Sequence, residues 1–310
     1  MSVCGFNVKA AKYMLNVGMA VSELDSMYKG SMYLKERVEE RTDGNLVIKV
    51  FPNSQLGNTD DLQEQARMGA NVGVITDTGR LADLVPEVGI LNAPFIATSY
   101  EETKKIVLSD VFNDIASELE DYDYKILSFN WYQGARHLLT NKPVYKPEDL
   151  KGLKLRTPGS AVWRESVAAM GATPTPLSWS EVYPAIQQGV IDGAEAQNIA
   201  TYGATLYEVV DYITKTGHFQ LMTGLVVGTQ WFNTLPEEYQ KILMEEAVKA
   251  GDYASQLTNE LSIEYEKEME KNGVTIIEVD KTPFINAVEK VYSKLGYEEL
   301  RERIQQEVLN

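Results

Sequence analysis

The sequence contains few residues of the kinds that build metal sites, redox sites and membrane-spanning segments. Its 310 residues include one cysteine, Cys4, and two histidines, His137 and His218. A single cysteine excludes an intrachain disulfide, and two histidines leave little from which to build a zinc or iron site. All apolar stretches fall far short of the roughly 20 residues that a membrane-spanning helix requires. We therefore expect no metal, no cofactor and no membrane-spanning helix.

The sequence also lacks the local motifs of common enzyme classes. No two of its 22 glycines lie two positions apart, which excludes a Gly-x-Gly nucleotide fingerprint. The Walker loop and the Gly-x-Ser-x-Gly, His-Glu-x-x-His and Cys-x-x-Cys motifs are absent as well. An acid–base pair could still exist among the 45 acidic residues, but the sequence singles none out. These absences favour a binding protein over an enzyme.

Positive charge is scarce relative to negative charge. Lysine and arginine number 29 and aspartate and glutamate 45, which gives a formal net charge of −16. Such an excess repels phosphate backbones and anionic lipid surfaces, so we expect no nucleic-acid partner. If the ligand is itself an anion, its site must be a local exception to this charge.

Strand and helix patterns alternate along the chain, which predicts an α/β protein. The length of the chain suggests two domains. Six strands are predicted, at 13–20, 46–51, 72–76, 124–131, 153–157 and 190–194. Five helices are predicted between them, at 25–42, 59–68, 101–120, 160–170 and 178–189. Asp25 is expected to cap the first of these helices.

The last third of the chain predicts an unusually long helix. About 35 residues lie between the capping box at 234–237 and the stop at 272–273, with no proline and only Gly251 as an interruption. One helix of this length would extend roughly 50 Å, enough to span two lobes. The alternative is two helices with a kink near Gly251. No flexible linker is visible, so we expect discontinuous lobes, 1–132 with 221–259 and 133–220 with 260–310.

Four residues stand out as candidates for a ligand site. Arg156 lies at the carboxyl end of a predicted strand, where ligand crevices form in open α/β sheets. Arg136 opens a further predicted strand, and the planar fork of an arginine suits a carboxylate. Trp179, at the start of a capped helix, could be an aromatic wall or ordinary core packing. Asp77 follows a strand in the first lobe and could accept hydrogen bonds from hydroxyl groups.

Six motifs in order resemble one known family. They are Phe-Pro-Asn-Ser-Gln-Leu-Gly at 51–57, Gly-Ala-Arg at 134–136, Leu-Lys-Gly-Leu-Lys-Leu-Arg-Thr-Pro at 150–158, Gly-Ala-Thr-Pro-Thr-Pro at 171–176, Ser-Glu-Val-Tyr at 180–183 and Gln-Gln-Gly-Val-Ile-Asp-Gly-Ala-Glu at 187–195. Together they resemble the DctP-type solute receptors of TRAP (tripartite ATP-independent periplasmic) transporters. The resemblance runs from about residue 13 to the C-terminus.

The resemblance implies a two-lobed periplasmic-binding-protein (Venus-flytrap) fold, with the long helix spanning both lobes. It also assigns roles to the candidate residues. Arg156 pairs with a ligand carboxylate, Arg136 assists it, Trp179 lines the pocket, and Asp77 binds ligand hydroxyls. The loop that begins with Ser22 and Glu23 is expected to reach the ligand from the first lobe.

One departure from the family pattern affects the carboxylate clamp. Relatives often carry Asn directly after the Glu of Asp-Gly-x-Glu, where this chain has Ala196. Gln197 or Asn198 could take over by a small backbone shift. We expect a hexuronate or aldonate as ligand, with a dicarboxylate or an aromatic 2-oxo acid as alternatives. A periplasmic enzyme acting on an organic acid and a sensor-associated receptor remain alternative functions.

The resemblance further implies a location and partners. We expect a periplasmic monomer that delivers its ligand to the small and large membrane subunits of a TRAP transporter. The sequence begins without a signal peptide, as it would after removal of a leader. Cys4 followed by Gly5 could be the lipidated first residue of a mature lipoprotein.

Overall fold

A computed structural model describes residues 11–310 of the chain, so Cys4 lies outside the described residues. Within this range the strands form one mixed sheet in the order β2-β1-β3-β8-β4-β7-β5-β6, with β9 paired to β8. The strands are β1 Tyr13–Gly18, β2 Leu46–Phe51, β3 Val72–Asp77, β4 Tyr124–Thr140, β5 Lys154–Thr157, β6 Thr173–Pro176, β7 Gly193–Gln197, β8 Tyr212–Gly228 and β9 Thr275–Ile277. Strand and helix alternate as predicted.

The described range contains twelve α-helices. They are α1 Ser26–Arg41, α2 Thr59–Arg67, α3 Thr78–Leu81, α4 Tyr100–Val107, α5 Asp110–Ser117, α6 Ala161–Ala169, α7 Val182–Gln187, α8 Asn198–Gly203, α9 Thr229–Phe232, α10 Glu237–Lys271, α11 Thr282–Leu295 and α12 Glu298–Ile304. None of the helices in residues 11–310 has the length and apolar content to cross a membrane.

Two long antiparallel strands, β4 and β8, join the two ends of the sheet. Their register shifts several times, including once between Tyr132 and Gly134. Gly134 has a φ of +113°, which a residue with a side chain rarely adopts. The shift is therefore a bulge inside one 17-residue strand, and the prediction that Arg136 opens a separate strand is wrong. Parallel strands flank this pair on both sides, β1, β2 and β3 at one end and β5, β6 and β7 at the other.

The long helix α10 is continuous over 35 residues, which confirms the single-helix prediction and excludes the two-helix alternative. Gly251 does not break it, because the glycine permits close packing. A Cβ at that position would lie 2.8 Å from Asn130 Cγ and 2.9 Å from Trp131 Cδ1 of β4. Ser255 Oγ accepts a hydrogen bond from Tyr132 N (2.8 Å) and donates one to Asn130 O (2.8 Å). The helix thus supplies hydrogen-bond partners for backbone groups at an edge of β4 that has no neighbouring strand at these residues.

Several predicted boundaries differ from the observed ones. The predicted helix 101–120 is divided, because Ser109 caps α5 through a hydrogen bond from Phe112 N (3.2 Å). The helix predicted at 178–189 begins as a 3₁₀ turn over Trp179–Glu181 and continues as α7. The strand predicted at 190–194 lies three residues later, at Gly193–Gln197. This last shift moves functional side chains, as described below.

The C-terminal helices pack on segments from the first half of the chain. The Tyr292 hydroxyl donates to Pro94 O (2.7 Å) and the Tyr297 hydroxyl donates to Pro86 O (2.7 Å). Tyr292 also belongs to the same apolar cluster as Trp163 of α6 and Phe219 of β8. This cluster therefore connects the two ends of the sheet.

Candidate functional site

A cavity with a volume of about 80 Å³ lies between the two ends of the sheet. It opens at the carboxyl ends of the parallel strands β1, β3, β5 and β7, where open α/β sheets place ligands. Its polar and aromatic lining comes from both ends of the sheet and consists of Thr59, Thr76, Asp77, Arg80, Gln133, Arg136, Arg156, Trp163, Trp179, Gln197 and Thr223. Of the predicted site residues, Arg156, Arg136, Trp179, Asp77 and Gln197 are brought together here.

Arg136 already has an acidic partner. Its Nη2 lies 2.8 Å from Glu195 Oε1, its Nε contacts Glu195 Oε2, and its Nη1 donates to Gln197 Oε1 (2.9 Å). Burial raises the pKa of Glu195. The charge of Arg136 and hydrogen bonds to the carboxylate act in the opposite direction, outweigh burial and lower the pKa to about 2. Glu195 is therefore ionised at neutral pH, and it neutralises the charge of Arg136.

Two buried histidines lie behind this ion pair. His218 Nε2 is 3.8 Å from Glu195 Oε2, and its Nδ1 is 2.7 Å from Thr216 Oγ1. Burial lowers the pKa of His218, although Glu195 opposes this shift. Burial, helped by the nearby cations, lowers the pKa of His137 to about 3, and His137 Nδ1 accepts a bond from Gly217 N (3.2 Å). Both lowered pKa values favour neutral rings at pH 7.

Arg156 is the buried cation without an acidic partner. It is 2 % exposed, and its Nε donates to Leu177 O (2.9 Å). Among the described residues no carboxylate lies within 4.0 Å of its guanidinium. Burial, and to a smaller extent the charge of Arg136, lowers its pKa to about 9. Arg156 is therefore still charged at pH 7, and the Trp179 ring, 5.3 Å away, covers one side of it.

Asp77 lines the cavity on the side of β3 and α3. As the N-cap of α3 it accepts a hydrogen bond on Oδ1 from Arg80 N (3.1 Å), and its Oδ2 lies 3.3 Å from Arg80 Nε. Its Oδ1 also accepts a bond from Trp163 Nε1 (3.3 Å). Arg80 and Trp163 were not predicted from sequence. The only available signals were the Asp-x-x-Arg spacing and an aromatic residue one turn into the helix after Arg156.

Three predicted residues do not line the cavity. Asn198 begins α8 and donates instead to Glu266 Oε2 (2.7 Å) of α10. Ser22 and Glu23 belong to a turn that ends with Asp25 N donating to Ser22 O (3.1 Å), and Glu23 is exposed. The turn presents Asp25 as the N-cap of α1, as predicted, with Met27 N donating to Asp25 Oδ1 (2.8 Å). Ser22, Glu23 and Asn198 thus lie outside this cavity, whereas Gln197 lines it, and contact of these residues with a ligand stays a prediction.

A larger cavity, of about 510 Å³, lies between α4, α5, β4 and α10. Its lining is mainly apolar, and at one side Lys104 Nζ pairs with Asp252 Oδ1 (3.3 Å). No arginine lines it, and its one lysine already has an acidic partner. It therefore offers no free cation for an organic acid, and the smaller cavity is the better candidate.

Comparison with known proteins agrees with this geometry. Residues 17–299 match the DctP family, described as bacterial extracellular solute-binding protein, family 7. A TRAP periplasmic solute-binding protein from Escherichia fergusonii, solved as an apo open structure, is 46 % identical, with coverage of 95 % of this chain and 99 % of that one and a TM-score of 0.83.

Two solved relatives contain sugar acids. The protein from Actinobacillus succinogenes 130Z with bound L-galactonate is 36 % identical over 94 % of this chain and 99 % of that one, with a TM-score of 0.91. The protein from Ochrobacterium anthropi with bound L-fuconate is 35 % identical over 96 % and 99 %, with a TM-score of 0.92. The predicted two-lobed fold is confirmed by these likenesses. The chain belongs to the DctP family, family 7 of the bacterial extracellular solute-binding proteins.

Proposed function

We propose that this protein is the solute receptor of a TRAP transporter and that it binds a sugar acid, a hexuronate or an aldonate. The observation that carries the proposal is the buried, charged guanidinium of Arg156, which has no acidic partner within residues 11–310. A planar guanidinium binds a carboxylate through two parallel charge-assisted hydrogen bonds. Two relatives with bound L-galactonate and L-fuconate support the same ligand class.

The charges around the cavity favour a ligand with one negative charge. Three arginines line it, and two of them have acidic partners, Arg136 with Glu195 and Arg80 with Asp77. The remaining charge, on Arg156, is balanced by a single carboxylate. A dicarboxylate would bring a second buried charge without a free partner, and burying such a charge is costly. This favours a hexuronate or aldonate over a dicarboxylate.

The rest of the lining suits a hydroxylated ligand body. Thr76 is 2 % exposed, and its Oγ1 has no hydrogen-bond partner among the described residues. Asp77 Oδ2 and the amide pair Gln133–Gln197 can also bond hydroxyl groups. Trp179 offers an apolar face to the carbons of the ligand. An aromatic 2-oxo acid would leave most of these polar groups without partners, which is costly in a buried site.

The arrangement of the lobes supports binding by closure. The chain is more similar in structure to the two sugar-acid complexes, with TM-scores of 0.91 and 0.92, than to the more identical open relative, at 0.83. The lining of the cavity comes from both ends of the sheet, so a ligand that it encloses would enter as the lobes part. We propose lobes of 1–132 with 221–259 and 133–220 with 260–310, with α10 bracing both. Ligand contacts from both lobes would favour the closed form.

The experiment that tests this function is a thermal-shift screen of a library of uronates, aldonates, dicarboxylates and 2-oxo acids, followed by calorimetry on the hits. We expect stabilisation by one or more monocarboxylate sugar acids and none in an Arg156→Ala variant. Failure of every acid to stabilise the protein, or equal stabilisation of the variant, would count against the proposal. Following a bound acid by NMR over hours separates a receptor, which returns it unchanged, from an enzyme.

The family assignment describes an extracellular solute-binding protein, and we place this chain in the periplasm beside its transporter. We propose that it acts as a monomer, that TRAP membrane subunits receive its ligand, and that a lipid on Cys4 is an optional anchor. Mass spectrometry of the protein isolated from its native membrane fraction would test the anchor. Uptake of the acid in cells with and without the membrane subunits would separate transport from a sensing role.

A further inference from the structure

Trp163 touches both sides of the candidate ligand site. It lies on α6 and is fully buried. The guanidinium carbon of Arg136 is 4.9 Å from the centroid of the Trp163 ring, and the Phe219 ring meets it edge-on at 4.4 Å. Its Nε1 donates to Asp77 Oδ1 at 3.3 Å. One side chain therefore contacts the second-lobe arginine by its face and the first-lobe acid by its edge.

The first lobe has a slot that fits this indole. Gly79 lies in α3, and its backbone has no unusual φ that would call for glycine. A Cβ on Gly79 would instead overlap the indole, since it would lie 3.1 Å from Trp163 Cδ1, closer still to Nε1, and 3.0 Å from Asp77 Oδ1. Gly79 N donates to Asn92 Oδ1 (2.8 Å), which fixes the turn that forms the slot. The closest overlap of such a Cβ is with the indole, which comes from the other lobe.

We propose that Trp163 is a positioning residue, which docks against Gly79 and Asp77 when the lobes close and thereby links closure to the orientation of Arg136. The inference rests on the proposed function, because closure matters only if a ligand is captured. Parting of the lobes would separate α3 from α6, so the Trp163–Asp77 bond belongs to the closed form. The cation–π contact with Arg136 lies within the second lobe and persists in both forms. Trp163 therefore couples the position of Arg136 to contact with the first lobe.

The sharpest test adds one methyl group to the slot. Gly79→Ala should leave the thermal midpoint of the ligand-free protein within about 2 °C of wild type, because the open form lacks the indole and the Asp77 carboxylate needs to move by only a few tenths of an ångström. It should weaken L-galactonate binding at least tenfold by calorimetry, and it should reduce the compaction that L-galactonate causes in small-angle X-ray scattering. Gly159→Ala is the matched control, since a Cβ there meets nothing within 4 Å.

A second variant tests the indole N–H itself. Trp163→Phe keeps an aromatic face for Arg136 but loses the donor to Asp77, so we expect roughly tenfold weaker L-galactonate binding. Trp231→Phe, a change at a buried tryptophan of another cluster, should bind as wild type does. A purely structural role for Trp163 would instead lower the midpoint of the ligand-free protein and leave the affinity of the folded fraction unchanged.

The outcomes distinguish this inference from the proposed function. Wild-type binding with equal affinity in Gly79→Ala and Trp163→Phe would overturn the role of Trp163 and leave the receptor function intact. A large loss of ligand-free stability in Gly79→Ala would also overturn it, because the slot would then be filled in both forms. No binding of any sugar acid to the wild-type protein would count against the proposed function and, with it, against this role.

Discussion

Arg136 Nη2 lies 2.8 Å from Glu195 Oε1, so this cation is paired before any ligand arrives. Arg156, the neighbouring buried arginine, has no such partner in the described chain. The two arginines that the sequence pointed to are therefore not equivalent. Arg136 shapes the site as part of a neutral pair, and we propose that Arg156 supplies the charge that selects an organic anion.

Changing Arg156 to lysine should separate its charge from its geometry. Lysine keeps the positive charge but loses the planar fork, so we expect Arg156→Lys to bind a sugar acid about tenfold to a hundredfold more weakly, and Arg156→Ala not to bind measurably. Isothermal titration calorimetry measures both. Lys154→Ala on the same strand is the control, since that lysine is exposed and should not affect affinity. Wild-type affinity in Arg156→Lys would show that the fork is not used.

Removing the charge of Glu195 should cost stability and alter selectivity. Glu195→Gln leaves Arg136 buried without a carboxylate, and we expect a loss of about 3 kcal/mol in the free energy of unfolding without ligand. The cavity then carries one more unpaired positive charge, so the preference should move towards dicarboxylates. Urea unfolding and calorimetry report the two effects.

The control for Glu195 is a more exposed ion pair. Glu165→Gln breaks the pair with Lys294, whose side chain is 63 % exposed, and it should cost less than about 1 kcal/mol. An unchanged preference for monocarboxylates in a folded Glu195→Gln protein would contradict the claim that the number of unpaired arginines in the cavity sets the charge of the ligand.

Two neighbouring amides should respond differently to truncation. Gln197→Ala removes the group that accepts from Arg136 Nη1 and donates to Gln133, so we expect sugar-acid affinity to fall roughly tenfold. Asn198→Ala removes the side-chain bonds to Glu266 and to Ser262 O of α10, and it should lower the thermal midpoint while affinity stays within about twofold. Calorimetry and thermal melts check both variants. A larger loss of affinity in Asn198→Ala than in Gln197→Ala would instead indicate that Asn198 binds the ligand carboxylate.

Asp25 should make stability depend on pH. Burial raises its pKa to about 6 from an ordinary value of 3.8, although Met27 N–H, Ser26 and Lys29 oppose the shift. Between these values the folded state binds more protons than the unfolded state, so the contribution of Asp25 to stability falls as pH rises through this window. Asp25→Asn keeps an acceptor for Met27 N and removes the charge.

We therefore expect Asp25→Asn to raise the free energy of unfolding by about 1 to 3 kcal/mol at pH 7.5, with the gain disappearing as the pH approaches 4. Urea unfolding at a series of pH values measures the difference from wild type. The exposed Asp121→Asn controls for the loss of one charge from an acidic protein. A gain that is the same at pH 4 and 7.5 would show that Asp25 is not a buried ionised group.

The sequence was sufficient for the architecture and for the place of the main cation. Alternating patterns predicted the α/β class, the absence of proline between residues 237 and 272 predicted α10, and the strand end predicted Arg156 at the crevice. The continuity of β4 was missed because Gly134 lies in the gap between the strand predicted at 124–131 and the strand predicted to begin at Arg136. The positive φ of Gly134 instead forms a bulge that pairing with β8 maintains. Such pairing is set by residues far apart in the chain.

The errors at the site have similar causes. The strand β7 was placed three residues too early, and this obscured that Glu195 and Gln197 share one face while Asn198 already belongs to α8. Arg80 and Trp163 reach the cavity because α3 and α6, which are far apart in the chain, pack against each other, and no local pattern reports that packing. The pairing of Arg136 with Glu195 likewise depends on the register of β4 against β7.

The most direct test of single-carboxylate recognition by Arg156 is a calorimetric comparison of galactitol, L-galactonate and galactarate with the wild-type protein. These three share a carbon chain and carry no, one and two negative charges. We predict L-galactonate to bind at least about a hundredfold more tightly than galactitol and tenfold more tightly than galactarate, because one unpaired guanidinium balances one carboxylate. If galactarate binds more tightly than L-galactonate, or if galactitol binds as tightly, single-carboxylate recognition by Arg156 is contradicted.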